Sequence, residues 1–250
     1  MNILITAGGT TEKIDSVRSI TNTGTGRLGA LIAAYFAHEK SVEKVYYVCN
    51  GRAVRPPGGN DTSKIEVIIA DDTAALEQAV SRLCSEVPIH AVIHSMAVSD
   101  YRVRTVTTAE DLGAGIAALA ETEKLDSGKV AACICASSGL RRGEKISSVL
   151  ENPVILLEKT PKIIAQLRPQ LPDAKIVGFK LLSGVSTEEL IDTAYALLVK
   201  NDCDYVLAND MNTVSDGEQH TGYLIDRNKN TVTAVGKQRI AEAIVKTIVG

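Results

Sequence analysis

The residues with the most chemical potential gather at glycine-rich turns. Gly24-Thr25-Gly26-Arg27-Leu28-Gly29 matches G-x-G-x-x-G and opens a run of helical period. Glycines there let backbone N–H groups approach an anion, and a helix N-terminus adds about half a positive charge. Two readings stand side by side: a phosphate-binding helix start over 23–27, or glycines placed only for tight helix–strand packing. The dinucleotide form of the motif follows the first strand directly and has an acid at the end of the second strand. Here Gly24 lies far beyond Thr6-Ala7, and the second strand ends Val48-Cys49-Asn50-Gly51, without an acid. None of the seven tyrosines has Lys four residues later, so a short-chain reductase would lack its catalytic pair. The sequence argues against NAD.

Between the first strand and that motif runs a long polar loop, Thr6 to Arg18. It leaves the carboxyl end of a strand, where open α/β sheets bind ligands. Gly8-Gly9 can form a backbone nest for an anion, and Arg18 can neutralise one or simply pair with Asp15. Ser95-Met96-Ala97-Val98-Ser99-Asp100-Tyr101 follows the fourth strand in the same way. Asp100 there suits a ribose hydroxyl, or the capping of a turn. His90 and His94 have a metal-like separation, but on a strand residues four apart stand about 13 Å from each other. They read as core or strand-end histidines. Five cysteines at irregular spacing imply no disulfide framework, and Cys49, Cys84 and Cys203 fall in apolar runs as core filler. No nucleophile elbow, Walker A sequence or zinc cluster occurs.

The elements that must hold these turns alternate. Residues 2–7, 44–49, 64–70 and 89–95 read as buried strands, separated by helices over 26–38 and 73–83, with Asp71 and Asp72 at the start of the second. The C-terminal part adds a helix opened by Thr160-Pro161, a strand from Lys175, and a helix behind the capping box Ser186-Thr187-Glu188-Glu189. A strand over 204–208, a hairpin of 221–226 with 231–235, and a last helix over 237–248 follow. The fold class is α/β: a doubly wound, mostly parallel Rossmann-like sheet with helices on both faces and a small antiparallel C-terminal hairpin. The reading is one domain over 1–250. Within it, 102–148 holds a short helix near 109–120, then Gly-, Ser- and Arg-rich sequence without a clear strand, which reads as a lid or irregular insert.

Composition narrows the function. In 250 residues, 27 Lys and Arg stand against 30 Asp and Glu, and there is no Trp with only seven Tyr and two Phe. A nucleic-acid binder would show basic excess and stacking aromatics, so that class is set aside. No apolar run reaches the roughly 20 residues that span a bilayer, and Met1–Ala7 reads as a strand, too short and too β-rich for a signal peptide. The expectation is a cytoplasmic protein with neither membrane nor nucleic acid as partner.

Five stretches, in order from Ile5 to Asp210, resemble the phosphopantothenate–cysteine ligases (phosphopantothenoylcysteine synthetases) of coenzyme A biosynthesis. They are I-T-A-G-G-T at Ile5–Thr10, D-S-V-R-S-I-T-N-T-G-T-G-R-L-G at Asp15–Gly29, A-V-S-D-Y at Ala97–Tyr101, V-G-F-K-L at Val177–Leu181, and A-N-D at Ala208–Asp210. The first strand starts at residue 2, which looks like the free-standing form, without a flavin-dependent decarboxylase domain ahead of it. The resemblance implies a two-step ligation. The carboxylate of 4'-phosphopantothenate attacks the α-phosphate of CTP or ATP, CTP being the expected one, to give an acyl-nucleotidyl anhydride and pyrophosphate. The amine of L-cysteine then forms the amide and releases the nucleoside monophosphate. Mg2+ is implied with the triphosphate, and a homodimer as the assembly; flavin and NAD are not.

The same resemblance assigns residues. Asn22 would bind the acyl-nucleotide and Lys145 would reach the triphosphate; these two are the catalytic candidates. Gly8, Gly24, Gly26 and Arg27 would face phosphate, Met96 and Ala97 the base, Asp100 the ribose, and Phe179 the base edge. Ile163, at the helix start after Lys159-Thr160-Pro161-Lys162, and Lys200 complete the nucleotide set, with Asn209 and Asp210 on the substrate side. Two departures stand out: Ser147 occupies a position where the family often has a second lysine, and 112–142 is longer than the usual linker. An NAD(P)-dependent reductase and a non-catalytic nucleotide-binding regulator are the alternatives.

Overall fold

The computed structural model describes residues 1–57, 62–139, 145–147, 149–214 and 220–250. In chain order its elements are β1 (Asn2–Ala7), β2 (Thr11–Lys13), β3 (Ser19–Thr21), α1 (Arg27–His38), β4 (Lys44–Cys49), β5 (Ile65–Ile69), α2 (Thr73–Glu86) and β6 (Ile89–His94). Then come β7 (Tyr101–Thr108), α3 (Ala109–Thr122), α4 (Ser127–Ala136), β8 (Pro153–Lys159), α5 (Ile163–Gln170) and β9 (Lys175–Leu182). The chain ends with α6 (Thr187–Lys200), β10 (Tyr205–Asp210), α7 (Met211–Val214), β11 (Thr221–Asp226), β12 (Thr231–Val235) and α8 (Lys237–Val249). They form two compact units: Met1–Thr10, Asn22–Val98 and Lys162–Gly250 in the first, Thr11–Thr21 and Ser99–Pro161 in the second.

The first unit holds an eight-stranded sheet of order β12-β11-β10-β9-β6-β1-β4-β5. Strands β5, β4, β1, β6, β9 and β10 pair in parallel, and β11 and β12 add an antiparallel hairpin at one edge. β1 is buried along its whole length, as a central parallel strand covered on both faces must be. Alternate residues split between two cores. Ile3, Ile5, Ala91 and Ile93 face α1 and α8 through Ile32, Phe36, Ile240 and Ile244. Leu4, Val48, Val92 and Ile176 face α2, α5 and α6 through Leu76, Val80, Leu167 and Ala194.

Caps follow the sequence in two cases out of three. Asp72 accepts from the Ala75 N–H and opens α2, while Asp71 instead accepts from the Gly51 N–H at 2.7 Å. Ser186 accepts from the Glu189 N–H and opens α6. Thr160 does not cap α5, which starts three residues later at Ile163. Its hydroxyl donates to the Ser99 carbonyl at 2.5 Å.

The second unit corrects the reading of 102–148. Tyr101–Thr108 is a strand, paired antiparallel with Pro153–Lys159, and a second helix spans Ser127–Ala136. Val103 and Val106 pack with Ile146 in a small core of their own. In a lone pair of strands only one face is covered, so Arg102, Arg104 and Thr105 alternate with those valines and dilute the apolar signal. Neither α3 nor α4 has a buried residue. Among the described residues no helix is long and apolar enough to cross a membrane.

Candidate functional site

The chain order reverses at β1: β4 and β5 are added on one side, β6 and β9 on the other. A crevice at the carboxyl ends of such strands is where open α/β sheets bind ligands. Three backbone turns meet there, all in the first unit. The 8–10 turn lies beside the 96–98 turn, with the Ala97 N–H donating to the Gly8 carbonyl at 2.9 Å and the Thr10 N–H to the Ala97 carbonyl at 3.1 Å. The 22–26 turn closes onto both. The Asn22 N–H donates to the Thr10 carbonyl at 3.1 Å, and Asn22 Nδ2 donates to the Ala97 carbonyl at 2.9 Å.

Glycine is required where these turns cross. A Cβ on Gly9 would lie 2.3 Å from the Asn22 carbonyl oxygen, and one on Gly24 would lie 2.6 Å from the Gly8 carbonyl oxygen. Gly8 and Gly26 have φ of 91° and 75°, the left-handed region that side chains disfavour. Gly26 is the N-cap of α1, and no acidic residue occupies the first turn of that helix. The exposed Arg27 begins it, so the positive end of the dipole is not neutralised from within the helix. The glycines thus serve packing and leave backbone N–H groups at a helix start; the two readings of the motif are not exclusive.

Asn50 was not singled out from sequence, yet its Nδ2 donates to the Gly9 carbonyl at 2.5 Å and braces the 8–10 turn from the end of β4. It occupies the strand end where the dinucleotide motif would need an acid. Below the crevice, Thr6 Oγ1 and His94 Nδ1 are 2.8 Å apart in a buried hydrogen bond. Burial pushes the His94 imidazole down to about 4, so the ring is neutral. His90 accepts from the Asn2 N–H at the opposite end of β6, and no His, Cys, Asp or Glu cluster among the described residues could hold a metal ion.

The other candidates divide by position. Met96 is buried in the core while Ala97 beside it is exposed. Ile163 is buried at the first turn of α5, and Phe179 packs half-buried on β9. Asn209 is the last residue but one of β10, with its Nδ2 3.0 Å from His220 Nε2, and Asp210 accepts from the Asn212 N–H to start α7. Burial, then Lys237, holds His220 down to about 4. Lys200 is not brought to this edge. It is the last residue of α6, which runs back from the carboxyl ends of the strands for about 20 Å at 1.5 Å per residue. That places Lys200 where β10 begins.

Asp100 and Lys145 belong to the second unit. Asp100 is exposed, and its carbonyl accepts from the Thr160 N–H at 3.0 Å. Lys145 is exposed, and Ile146 next to it is buried. Asp15 is buried beneath the β2–β3 turn. Desolvation would raise its pKa, but N–H groups of Val17, Arg18 and Ile146 and the Arg18 guanidinium outweigh this and hold it at about 2. A cavity of about 590 Å³ in this unit, lined by Thr107, Asp111, Leu112, Cys133 and Ser137, contains none of the candidates.

The chain is similar to known proteins in sequence and fold. The chain is 28% identical over 244 residues to the coenzyme A biosynthesis bifunctional protein CoaBC of Thermococcus kodakarensis, covering 97% of this chain and 49% of that protein. It spans about half the length of the curated relatives it matches. The crystal structure of the DNA/pantothenate metabolism flavoprotein from Streptococcus pneumoniae superposes with a TM-score of 0.80 at 32% identity, over 99% of this chain and 98% of that one. A Cab2 variant in complex with phosphopantothenate-cysteine shares the fold, with a TM-score of 0.66 at 14% identity over 99% of this chain and 87% of that one. The DNA/pantothenate metabolism flavoprotein C-terminal domain profile matches residues 1–112 and 104–250. With that coverage, the chain belongs to the DNA/pantothenate metabolism flavoprotein C-terminal domain family.

Proposed function

We propose that this chain is a phosphopantothenate–cysteine ligase: it activates 4'-phosphopantothenate with a nucleoside triphosphate, CTP in preference to ATP, and joins the acyl group to L-cysteine. The observation that carries the reading is the trio of turns at the β1–β6 switch point, closed by Asn22 and backed by the start of α1. Family membership across the chain supports it, as do CoaBC relatives in coenzyme A biosynthesis and a neighbour bound to phosphopantothenate-cysteine.

In this reading the backbone N–H groups at Gly8, Gly24 and Gly26 and the α1 dipole hold the phosphates, Arg27 adds charge, and Met96 and Ala97 present backbone to the base. Phe179 and Ile163 line the base side, Asp100 holds the ribose, and Asn209 and Asp210 serve the acid substrate. The pantothenate carboxylate attacks the α-phosphorus, pyrophosphate leaves, and the ammonium of Lys145 meets the charge growing on it. Asn22, oriented by its bond to the Ala97 carbonyl, then hydrogen-bonds the anhydride carbonyl as the cysteine amine adds. The amine loses a proton, the acyl carbon–oxygen bond of the anhydride breaks, and the nucleoside monophosphate leaves with the bridging oxygen on its phosphorus. No enzyme nucleophile is needed, so placement and charge supply the catalysis. Magnesium enters with the triphosphate as part of the substrate, held by phosphate oxygens and water. A homodimer is part of the proposal and is checked by sedimentation.

The test is pyrophosphate release. It should require 4'-phosphopantothenate but not cysteine, and be faster with CTP than with ATP. Equal release without the acid refutes the ligase reading.

A further inference from the structure

The 8–10 turn after β1 is flanked on two sides. The 96–98 turn after β6 closes against it from one side, and the connection that leaves β4, residues 50–55, closes from the other. Ala53 is the wedge of that connection. Its Cβ lies 2.8 Å from the point that a Cβ on Gly8 would occupy and 3.2 Å from that for Gly26, so it sits against both positive-φ glycines. The Val54 N–H donates to the Thr25 carbonyl at 3.0 Å, and the hydroxyl of the buried Tyr47 donates to the Val54 carbonyl at 2.8 Å. Asn50 Nδ2 is bonded to the Gly9 carbonyl, while Asn50 Oδ1 is buried without a partner, a cost that a mere link between strands would shed. Arg55 folds the loop on itself: its guanidinium donates to the Asn50 carbonyl at 3.2 Å and the Gly51 carbonyl at 3.4 Å and reaches Cys49 Sγ. Arg52 takes no part in this bracing. Its side chain is exposed, with no hydrogen bond or ion pair among the described residues, and it directly precedes the Ala53 wedge.

We propose that Arg52 binds the β- and γ-phosphates of the nucleoside triphosphate and holds the pyrophosphate as it leaves. The inference rests on the function proposed above and deepens it. Topology sets the direction. With the base at the Met96-Ala97 turn after β6 and phosphate at the glycines after β1, the phosphate chain runs across β1 toward β4, where the 50–55 loop stands. Consecutive Cα atoms are about 3.8 Å apart, so a residue next to Ala53 starts at the rim of the glycine turns, within an arginine's length of what they hold. A guanidinium presents paired donors that match two phosphate oxygens. When the bond from the α-phosphorus to the bridging oxygen breaks, negative charge gathers on the β-phosphate, and a cation on a braced loop favours that separation.

The test measures affinity for CTP with magnesium, for CMP and for inorganic pyrophosphate with magnesium by titration calorimetry. The variants are Arg52→Ala, Arg52→Gln, which serves if the alanine variant fails to fold, and Arg82→Ala, which removes an exposed positive charge from α2. Either Arg52 variant should weaken CTP and pyrophosphate by about tenfold or more and CMP by less than about twofold, and Arg82→Ala should match wild type. Unchanged CTP affinity in the Arg52 variants overturns the inference. An equal loss for CMP also overturns it, marking Arg52 as a prop for the glycine turns. So does an equal loss in Arg82→Ala, which would make the effect one of net charge. Wild type that binds neither CTP nor pyrophosphate overturns the triphosphate reading and this inference together. A loss confined to CTP and pyrophosphate upholds the Arg52 contact even where pyrophosphate release proves independent of 4'-phosphopantothenate, so the two readings fail separately.

Discussion

Gly9→Ala probes the construction of the site directly. The added methyl would lie 2.3 Å from the Asn22 carbonyl oxygen and 2.9 Å from its carbon. Ordinary carbon–oxygen contact needs about 3.3–3.6 Å, so the 8–10 and 22–26 turns must separate by about 1 Å. Backbone blocks both sides, and no side chain can swing away. The Asn22 N–H to Thr10 carbonyl bond, now 3.1 Å, would then pass beyond bonding range. Overpacking of this kind costs about 1–3 kcal/mol, and each lost hydrogen bond about 1 kcal/mol. A stability loss of about 2 kcal/mol is expected in urea denaturation, together with about tenfold weaker binding of CTP with magnesium by titration calorimetry. Gly113→Ala is the control. Its Cβ would meet nothing within 4 Å, inside a helix, so it should stabilise by about 0.5–1 kcal/mol. Gly9→Ala within about 0.5 kcal/mol of wild type, with unchanged CTP binding, would refute the argument that these turns are held at contact distance.

Asn22→Ala should slow the cysteine step more than activation, by roughly 10²–10³, and acyl-nucleotide should accumulate in a quenched single turnover read by mass spectrometry. Stability should fall by only about 1 kcal/mol for the lost Ala97 bond, so denaturation separates the two effects. His94 and His220 are held neutral with pKa values near 4, against 6.5 for an unperturbed ring. Below pH 6.5 the unfolded chain binds protons that the folded chain refuses. Stability should therefore decline from pH 6.5 toward 4, and His94→Gln should flatten that slope in chemical denaturation at several pH values.

Much of the first unit was legible because parallel strands buried on both faces give continuous apolar runs. Asn2–Ala7 and Lys44–Cys49 fall where the sequence puts them, and the 221–226 and 231–235 hairpin is as read. The second unit was obscured by its thinness. Tyr101–Thr108 covers one side of a two-stranded ribbon, and α3 and α4 bury nothing, so their periodicity carries little information. In the site, Gly8 and Gly9 were marked by their place after the first strand and Gly24 and Gly26 by their motif, while Asn22 entered only through the resemblance to the ligases. Asn50 was not, since a brace between two turns leaves no spacing signal. Lys200 shows the opposite failure: similarity to a motif cannot say which end of a helix faces the crevice. The tie between Asp15 and Ile146 joins residues too distant in sequence for any local pattern.

The order of strands in the sheet also bears on how the chain is born. β6 is complete at His94, but its partner β9 begins only at Lys175, after the whole of Ser99–Pro161 has been made. At about 5–20 residues per second, roughly 4–18 s pass on the ribosome between the end of β6 and Leu182. Throughout that interval the apolar Ala91–His94 edge has no strand beside it on the β9 side, a template for wrong pairing. Every segment of the second unit, by contrast, has been synthesised by Pro161. Its core of Val103, Val106 and Ile146 is therefore free to assemble on the nascent chain before the large sheet closes, while the β6 edge still waits for β9.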